Sequence, residues 1–442
     1  MAKIEVISRM RSSNPDYEES FFRSYDKEGI LHEKRVLSDE CDYGCASYHR
    51  TSADKGKTWS EWETEFQDTK EEGRHGRLPE SPDGDELLDA MQPPVYDPIS
   101  GCTVSVGSSF YYLYGHEQGL CVRQWDLGED NFRMHAYYKI VYPDGREERK
   151  MFEFDEGGAD YDPAKYRDPN FLDKNRCGAG DLFILPDGDL CFNLFPYVPL
   201  CCRLAGIDVN QYFPSSPNLH HGLIVVRAHW NAEKGEYEFI YSNPIMLSDV
   251  QSSRCVMEPH MAILPNGRWI LVVRGSNYKN PAWNPRVNPG TPGFKWFTFS
   301  DDNGKTFAPL MPWFFDTREV VYSPAAIHQF YRSKKNGKLY WIGNIIDDPS
   351  TIDSNGPRYP LNICQVDEEY GFLIKDSLAV IDGLREGQYE VELSNFNLLE
   401  DPDTGELEIR MTKININDAC QGGGKPGDWY SEAWEYSILF ED

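Results

Sequence analysis

Six short turns that end in glycine and are flanked by apolar residues recur along the whole chain. They fall at intervals of 72, 87, 79, 70 and 68 residues, at Gly29, Gly101, Gly188, Gly267, Gly337 and Gly405. Asp, Asn or Pro precedes each glycine, and glycine adopts positive φ at little cost, which is the chemistry of a tight hairpin. This spacing constrains the fold more than any other feature of the sequence.

A second apolar segment and a second turn follow each hairpin, as in KWFTFSDDNGKTF after the fourth one. Six units of about four strands each predict an all-β chain folded as a six-bladed β-propeller. We expect residues 1–442 to form one domain, closed by pairing of the N- and C-terminal segments, because a closed ring leaves no open sheet edge. The alternative is a pair of β-sandwiches.

The formal net charge of −28 argues against nucleic acid and anionic membrane as partners, since both would repel the chain. No segment approaches the roughly 18 apolar residues of a membrane span. The N-terminal MAKIEVISRM lacks the apolar core of a signal peptide. We therefore expect a cytoplasmic protein, although removal of a signal would leave the same sequence. The oligomeric state is not predicted.

The eleven cysteines are scattered and lack the paired spacing of a metal site, which favours reduced thiols packed in the core. No zinc-binding spacing and no EF-type calcium loop occurs in the sequence, so we expect no cofactor and no catalytic metal. A structural Ca²⁺ bound by loop carboxylates stays open as an alternative in so acidic a chain.

A stricter motif, Ser-x-Asp-x-Gly-x-Thr-aromatic, occurs in two of the second turns. Its positions are Ser52, Asp54, Gly56, Thr58 and Trp59 in one copy, and Ser300, Asp302, Gly304, Thr306 and Phe307 in the other. The Asp carboxylate accepts backbone N–H bonds across such a turn, and the aromatic ring anchors the loop to its blade. We interpret both aspartates as structural rather than catalytic.

With these two motifs, known as Asp-boxes, in a six-fold repeat, the chain resembles the sialidase (neuraminidase) superfamily over essentially its full length. The resemblance is most specific in SRCVMEPHMAILPNGRWILVVRGSN, residues 253–277. There sialidases place a catalytic glutamate ahead of a hairpin and an arginine at its far end, and Glu258 and Arg274 occupy those positions. In the family this arginine belongs to a triad that grips the substrate carboxylate through bidentate bonds.

The resemblance implies positions for further site residues. Arg358 matches the third arginine of the triad, and Arg11 matches the first, with Arg9 as its competitor. The acid/base aspartate that precedes the first Asp-box corresponds to Asp42, with Asp39 as the alternative.

The sixth unit departs from the family pattern. Where sialidases present a nucleophilic tyrosine, this chain has Leu393, followed by Ser394, and Tyr389 lies four residues too early. The tyrosyl-enzyme route is therefore not implied, and Glu258 would activate water directly.

Two more candidates follow from their positions in the repeat. His260 is two residues after Glu258 and would point the same way on a regular strand, toward the central funnel. Tyr322 opens the fifth unit at the place that Glu258 has in the fourth, where it could line the pocket. The alternatives are a core histidine and a core aromatic residue.

Three functions are compatible with this pattern. The first is a sialidase-like glycoside hydrolase that removes a terminal acidic sugar from a glycan, with Asp42 as general acid and Glu258 as base or charge stabiliser. The second is a lyase acting on a uronic-acid glycan, with His260 or a tyrosine as base. The third is a carbohydrate-binding propeller without catalytic activity.

Overall fold

The computed structural model describes residues 4–26, 28–40, 43–67, 76–77, 86–112, 132–152, 177–215, 220–280, 291–416 and 429–440. Their strands form six sheets arranged as the blades of a propeller, so the predicted all-β, six-bladed fold is confirmed. Blade 1 consists of β2 (Glu18–Tyr25), β3 (Leu31–Glu40), β4 (Tyr43–Ser52) and β5 (Glu63–Gln67).

Blades 3, 4 and 5 repeat this four-stranded antiparallel order. Their strands are β12 (Cys177–Ile184), β13 (Leu190–Pro196), β14 (Ile224–Asn231) and β15 (Glu236–Tyr241); β16 (Met257–Ile263), β17 (Trp269–Gly275), β18 (Phe294–Ser300) and β19 (Met311–Pro312); and β20 (Gln329–Arg332), β21 (Leu339–Asn344), β22 (Leu361–Gln365) and β23 (Ala379–Asp382).

Blade 2 is more elaborate, because two strands pair with the same side of β9. Its strands are β6 (Gly76–Arg77), β7 (Glu86–Met91), β8 (Val95–Tyr96), β9 (Thr103–Tyr112), β10 (Phe132–Val141) and β11 (Glu147–Met151). Helices α1 (Val198–Ala205) and α2 (Val209–Tyr212) connect β13 to β14, and two 3₁₀ turns lie at Pro349–Thr351 and Lys375–Ser377. Within the described residues, no helix has the length and apolar character needed to cross a membrane.

Blade 6 contains both ends of the described chain. Its strands β24 (Glu390–Glu400), β25 (Leu407–Ile416) and β26 (Trp429–Phe440) are followed at the outer edge by β1 (Ile4–Asn14). The β1–β26 pairing is antiparallel and runs from Ile4 opposite Phe440 to Asn14 opposite Ser431. The first and last strands therefore belong to one sheet.

The six glycines of the sequence repeat occupy equivalent places in the blades. In five blades the glycine lies in the turn between the first two strands, in blade 2 Gly101 lies between the short β8 and β9, and all six have φ between +68° and +93°. Because only glycine adopts this conformation at little cost, the repeat in the sequence is the repeat of the hairpins.

Apolar clusters fill the space between successive blades. One joins blades 2 and 3, and others join blades 3 and 4, blades 4 and 5, and blades 5 and 6. The blade 4–blade 5 cluster, for example, packs Val272 and Phe297 against Trp341. The eight cysteines that the structure describes are free thiols, and all except Cys45 are buried.

Blades 1 and 6 meet through ion pairs instead. Glu33 on β3 is fully buried and accepts bonds from Arg11, Arg23 and Arg50. On the blade 6 side, Arg410, which is 2% exposed, pairs with Glu408 and Glu435. We call this set of four arginines and three glutamates the ionic seam.

The two turns with the Ser-x-Asp-x-Gly-x-Thr pattern have matching hydrogen bonds. Asp302 accepts the amide of Thr306 at 2.8 Å and its hydroxyl at 2.7 Å, and Asp54 accepts the same two groups of Thr58 at 2.8 and 2.6 Å. In blade 4 the turn follows Ser300, which pairs with Trp269, whereas Arg274 pairs with Lys295 at the opposite end of the sheet. This turn is therefore remote from the end that carries Arg274.

Candidate active site

Three first strands of blades are interrupted at one point by a β-bulge, in which two residues face one residue of the partner strand. The bulged pairs are Asp181–Leu182 in β12, Glu258–Pro259 in β16 and Leu393–Ser394 in β24. In blades 3 and 4 the first bulged residue is a carboxylate with left-handed backbone, at φ +58° for Asp181 and +46° for Glu258. A left-handed acidic residue is uncommon, and two at equivalent places mark a candidate functional site.

Glu258 forms an ion pair with Arg274 on the neighbouring strand. The Oε2 atom of Glu258 lies 3.0 Å from Nη1 of Arg274, and the glutamate side chain is about one third exposed while the arginine is 7% exposed. Arg274 also donates to the carbonyl of Ala325 at 3.2 Å, which fixes its guanidinium from the blade 5 side. The structure thus places the carboxylate of Glu258 and the guanidinium of Arg274, at the two ends of the β16–β17 hairpin, in direct contact.

Asp181 has the same arrangement in blade 3, with Asn193 in place of the arginine. The Nδ2 atom of Asn193 donates to Oδ2 of Asp181 at 3.1 Å. The Asp181 side chain is exposed to solvent, but neighbouring protein atoms reduce its solvation and so raise the pKa of its carboxyl, while the bond from Asn193 acts to lower that pKa. The charge of Glu258 also raises the pKa of Asp181, so the two carboxylates interact electrostatically.

Lys295 is a buried cation of the same site. It lies on β18 opposite Arg274, its side chain is fully buried, and its ammonium donates to the carbonyl of Ala326. Burial lowers the pKa of Lys295 to about 7, with Glu258 acting to raise the pKa and Arg274 and Arg358 acting to lower it. Successive carbonyls of one loop thus hold two neighbouring cations.

Two further arginines surround Arg274. Arg358 donates to Glu392 at 2.9 Å and to the hydroxyl of Ser394, in the blade 6 bulge, at 3.3 Å. Arg254 donates to the hydroxyl of Tyr278 at 2.6 Å. Burial lowers the pKa of Arg274. The charge of Glu258 raises this pKa, and the charges of Arg254 and Arg358 lower it, so all three side chains interact electrostatically with Arg274. We call Arg254, Arg274, Lys295 and Arg358 the cationic cluster.

Sequence reasoning missed three of these residues. Asp181 lies seven residues before Gly188, whereas Glu258 lies nine before Gly267, so matching by distance from the glycine does not align them. Lys295 sits in an apolar strand, FKWFTFS, where a lone charge could have been noticed. Arg254 lies four residues ahead of Glu258, in the same segment as the predicted pair.

His260 lies away from the carboxylates. Its Nδ1 atom accepts the amide of Phe330 at 3.2 Å, and its ring packs against His328 and Phe330 between blades 4 and 5. The expectation that it points the same way as Glu258 assumed a regular strand, and the bulge breaks that alternation. Burial lowers the pKa of His260 to about 4, so the imidazole is neutral at physiological pH.

Arg11 also lies elsewhere, in the ionic seam, where it contacts Glu33 and Glu435 and stacks on Phe21 at 4.0 Å. Arg9 faces Glu435 across the β1–β26 pairing. The arginine found beside Arg274 and Arg358 is Arg254 instead.

The remaining predicted positions fall as follows. Asp42 lies outside the described residues, as does the side chain of Asp39. Tyr322 is half-buried and packs on the ring of Phe294, one residue before Lys295. Leu393 is fully buried in the apolar cluster between blades 5 and 6, while Tyr389 is 55% exposed.

The described residues include no group of three or more His, Cys, Asp or Glu side chains arranged to hold a metal ion. Asp181, Glu258 and the cationic cluster instead offer carboxyl groups and guanidinium donors on the protein surface where the first strands of blades 3 and 4 are bulged. Such a surface can bind an anion and transfer protons beside it.

Comparison of the sequence with protein-family models and with curated proteins found no match. Solved structures do match. The NanB sialidase from Streptococcus pneumoniae has a TM-score of 0.50 and 12% identity, over 98% of this chain and 70% of that chain. A sialidase from Trypanosoma rangeli has a TM-score of 0.46 and 10% identity, over 98% and 58%.

An α-L-arabinofuranosidase from Fusarium graminearum, in complex with an iminosugar inhibitor, has a TM-score of 0.47 and 14% identity, over 98% of each chain. At such identities the similarity shows the fold. The chain is a sialidase-like six-bladed propeller, as the sequence motifs predicted.

Proposed function

We propose that this protein is a glycoside hydrolase that removes a terminal acidic sugar from a glycan. The observation that carries the proposal is the pair of carboxylates, Asp181 and Glu258, at equivalent bulges of adjacent blades. Their environments differ, because Asn193 bonds one and Arg274 pairs with the other. Two carboxylates in unlike environments are the usual equipment of a glycosidase.

Asp181 is suited to act as the general acid. Reduced solvation and the charge of Glu258 together outweigh the bond from Asn193 and raise the pKa of its carboxyl, which favours the protonated form that donates to a glycosidic oxygen. In this proposal it takes the role that the sequence resemblance assigned to Asp42.

Glu258 is suited to act as the charged partner. Its Oε2 atom lies 3.0 Å from the Arg274 guanidinium, and a carboxylate at this place can activate water or stabilise an oxocarbenium-like transition state. Because Leu393 is buried and carries no phenol, the proposal includes no tyrosyl intermediate.

The cationic cluster supports an acidic sugar as the substrate. It gathers three arginines and Lys295 near one another in a chain of net charge −28, so this local positive charge has no counterpart in the bulk composition. Arginine is the residue that binds carboxylates with fixed geometry. The substrate carboxylate would lie against Arg274, Arg358 and Arg254.

The test compares three variants on acidic-sugar glycans and on their aryl glycosides. Asp181→Asn and Glu258→Gln each keep the shape and remove the ionisable carboxyl, and we expect turnover to fall by roughly 10²–10⁴-fold. The matched control is Asp301→Asn, which removes a carboxylate paired with Arg268 on the same blade, and should leave turnover unchanged. Melting temperatures are measured on all three variants.

The leaving group distinguishes an acid from a structural residue. An activated aryl group needs little protonation, so Asp181→Asn should lose much less activity on an aryl glycoside than on a natural glycan. Equal loss on both, or destabilised variants with normal turnover, would contradict the assigned roles. A product with the ultraviolet absorbance of an unsaturated uronide would identify a lyase, and saturable binding without product would identify a carbohydrate-binding propeller.

A further inference from the structure

Two arginines of the ionic seam, Arg11 and Arg50, line a cleft together with Arg35, where β1 of blade 6 meets blade 1. The cleft has a volume of about 220 Å³ and is lined by Arg11, Ser12, Glu19, Phe21, Arg35, Arg50 and Trp62. This equals roughly seven waters at about 30 Å³ each, which is room for one small ligand. None of these residues belongs to the site around Glu258.

Aromatic rings and glutamates hold the three guanidinium groups in place. Arg11 stacks on Phe21 at 4.0 Å and Arg50 on Trp62 at 4.3 Å. Arg50 donates from Nε to Glu33 at 2.8 Å, and Arg35 donates from Nε to Glu19 at 2.6 Å. A guanidinium that is already fixed loses less conformational entropy when it binds a ligand.

Donor groups are left over after these contacts. Within the described part of the chain, neither Nη1 of Arg35 nor Nη1 of Arg50 makes a hydrogen bond. Glu19 is the one carboxylate of the lining, and Arg35 and the hydroxyl of Ser12 already bind it. The lining carries three positive charges and the one negative charge of Glu19, and Glu33 of the ionic seam pairs with Arg11 and Arg50, so these side chains together carry three positive charges against two negative charges in a strongly acidic protein.

We propose that this cleft binds a small oxyanion: the carboxylate or sulfate group of a saccharide, or a free inorganic anion. The ligand would accept hydrogen bonds from Arg35 and Arg50 at the mouth of the cleft, with the rings of Phe21 and Trp62 as its apolar wall. Oxyanions fit because guanidinium groups bind them through charge-assisted bonds. The cleft is separate from the carboxylate pair, so this site does not depend on the hydrolase proposal.

Calorimetric titration at constant ionic strength tests the cleft with three probes: sodium sulfate, sodium glucuronate and glucose. We expect saturable binding of at least one of the two anions and none of glucose. Binding of glucuronate but not sulfate would identify the saccharide as the source, and preferred binding of sulfate would identify the inorganic anion. Glucose binding as strong as glucuronate binding would overturn the oxyanion assignment.

Variants locate the binding. Arg35→Gln should weaken anion binding in one class of sites by at least tenfold, since it removes a charge-assisted bond, and should leave turnover unchanged. The matched control is Arg268→Gln, an arginine that likewise pairs with a carboxylate, Asp301, and stacks on a ring, Phe299. That control should bind as the unmodified protein does.

A second variant covers the case in which Arg35→Gln does not fold. Trp62→Leu removes the ring behind Arg50 while keeping every charge, and it should also weaken anion binding. Absence of saturable binding by the unmodified protein, or equal affinities in Arg35→Gln and Arg268→Gln, would rule out the proposed site.

Discussion

At the scale of single residues, burial of the Lys295 ammonium in the candidate active site costs folding free energy through desolvation. An ammonium that is fully buried beside Arg274 loses its hydration and faces a like charge, and one bond to Ala326 together with the charge of Glu258 compensates only in part. Burial lowers its pKa to about 7, from 10.5 for an ordinary lysine. Below pH 7 the folded protein therefore carries this charge, and from 7 to 10.5 the unfolded chain binds the proton more strongly.

We expect Lys295→Met to be more stable than the unmodified protein at pH 6, by roughly 1–4 kcal/mol, because an apolar side chain replaces a buried charge. The advantage should shrink from pH 7 toward 10, since in that window the unmodified protein gains stability by losing the proton. Denaturant unfolding at pH 6 and 9 measures both values.

Lys305→Met, at an exposed lysine of the same blade, serves as the control and should change stability by less than about 0.5 kcal/mol. A destabilised Lys295→Met variant at pH 6 would show that the contacts of the ammonium outweigh its desolvation.

Residue-level prediction from the sequence singled out Glu258 and Arg274 by their place in the repeat, and the structure places the two in contact, while their roles in a site stay a prediction. It could not find Asp181, because the position of a bulge within a strand depends on packing and not on distance from the turn. The same bulge in β16 is the reason why His260 lies between the blades. Arg11 went to the ionic seam because β1 joins the last blade.

At the scale of elements, Gly267 in a hairpin turn and Gly304 in a Ser-x-Asp-x-Gly-x-Thr turn need glycine for different reasons. Gly267 has φ +86° with no atom within 4 Å of an added Cβ, so only its backbone conformation requires glycine. Gly304 has φ +78°, and an added Cβ would lie 2.5 Å from the ring of Trp269. Close packing of the turn on the blade adds to the backbone requirement.

Gly267→Ala should therefore cost about 1–2 kcal/mol, the strain of a left-handed alanine. Gly304→Ala should cost roughly a further 1–3 kcal/mol, because Trp269 must move. Urea unfolding of the two variants measures the difference, and equal destabilisation would mean that the Trp269 ring relaxes freely.

Element prediction worked for the hairpins because turn chemistry is local and Gly, Asp and Asn reveal it. It did not find α1 and α2, which occupy a long connection within blade 3, or the extra pairing of β7 with β9 in blade 2. Both depend on contacts between segments distant in sequence, which a periodic pattern does not record.

At the scale of the whole molecule, the propeller is held by unlike interfaces. Among the described residues, apolar clusters join blades 2 to 6 in sequence, and the ionic seam joins blades 1 and 6. Burial alone would raise the pKa of Glu33, but its bonds and charge interactions with Arg11, Arg23 and Arg50 lower it to about 2. The seam therefore depends on pH and the apolar interfaces do not.

We expect Glu33→Gln to destabilise the protein by about 3–5 kcal/mol at pH 7, because buried guanidinium groups lose their charged partner. A carboxyl with a lowered folded-state pKa stabilises above about pH 4.5 and loses that contribution as the pH falls toward 2, so the difference between variant and unmodified protein should narrow in that window.

Urea unfolding at pH 7, 4 and 3 follows this effect. Glu65→Gln removes a surface partner of Lys34 in the same blade and should cost less than about 1 kcal/mol. A Glu33→Gln penalty that stayed constant down to pH 3 would show that the carboxylate charge does not hold the seam.

The pairing of β1 with β26 also means that the first blade-6 strand to be synthesised pairs only at the end of synthesis. β1 is complete at Asn14, but its partner begins at Trp429, and a ribosome adding roughly 5–20 residues per second needs about 20–80 s to reach it. During this time β1 has no partner strand. The arginines of blade 1 likewise lack the glutamates of blade 6, which have not yet been synthesised. Protection of the unpaired β1 from association with a neighbouring nascent chain is therefore needed throughout synthesis. It ceases to be needed when β26, Trp429–Phe440, emerges and pairs with β1.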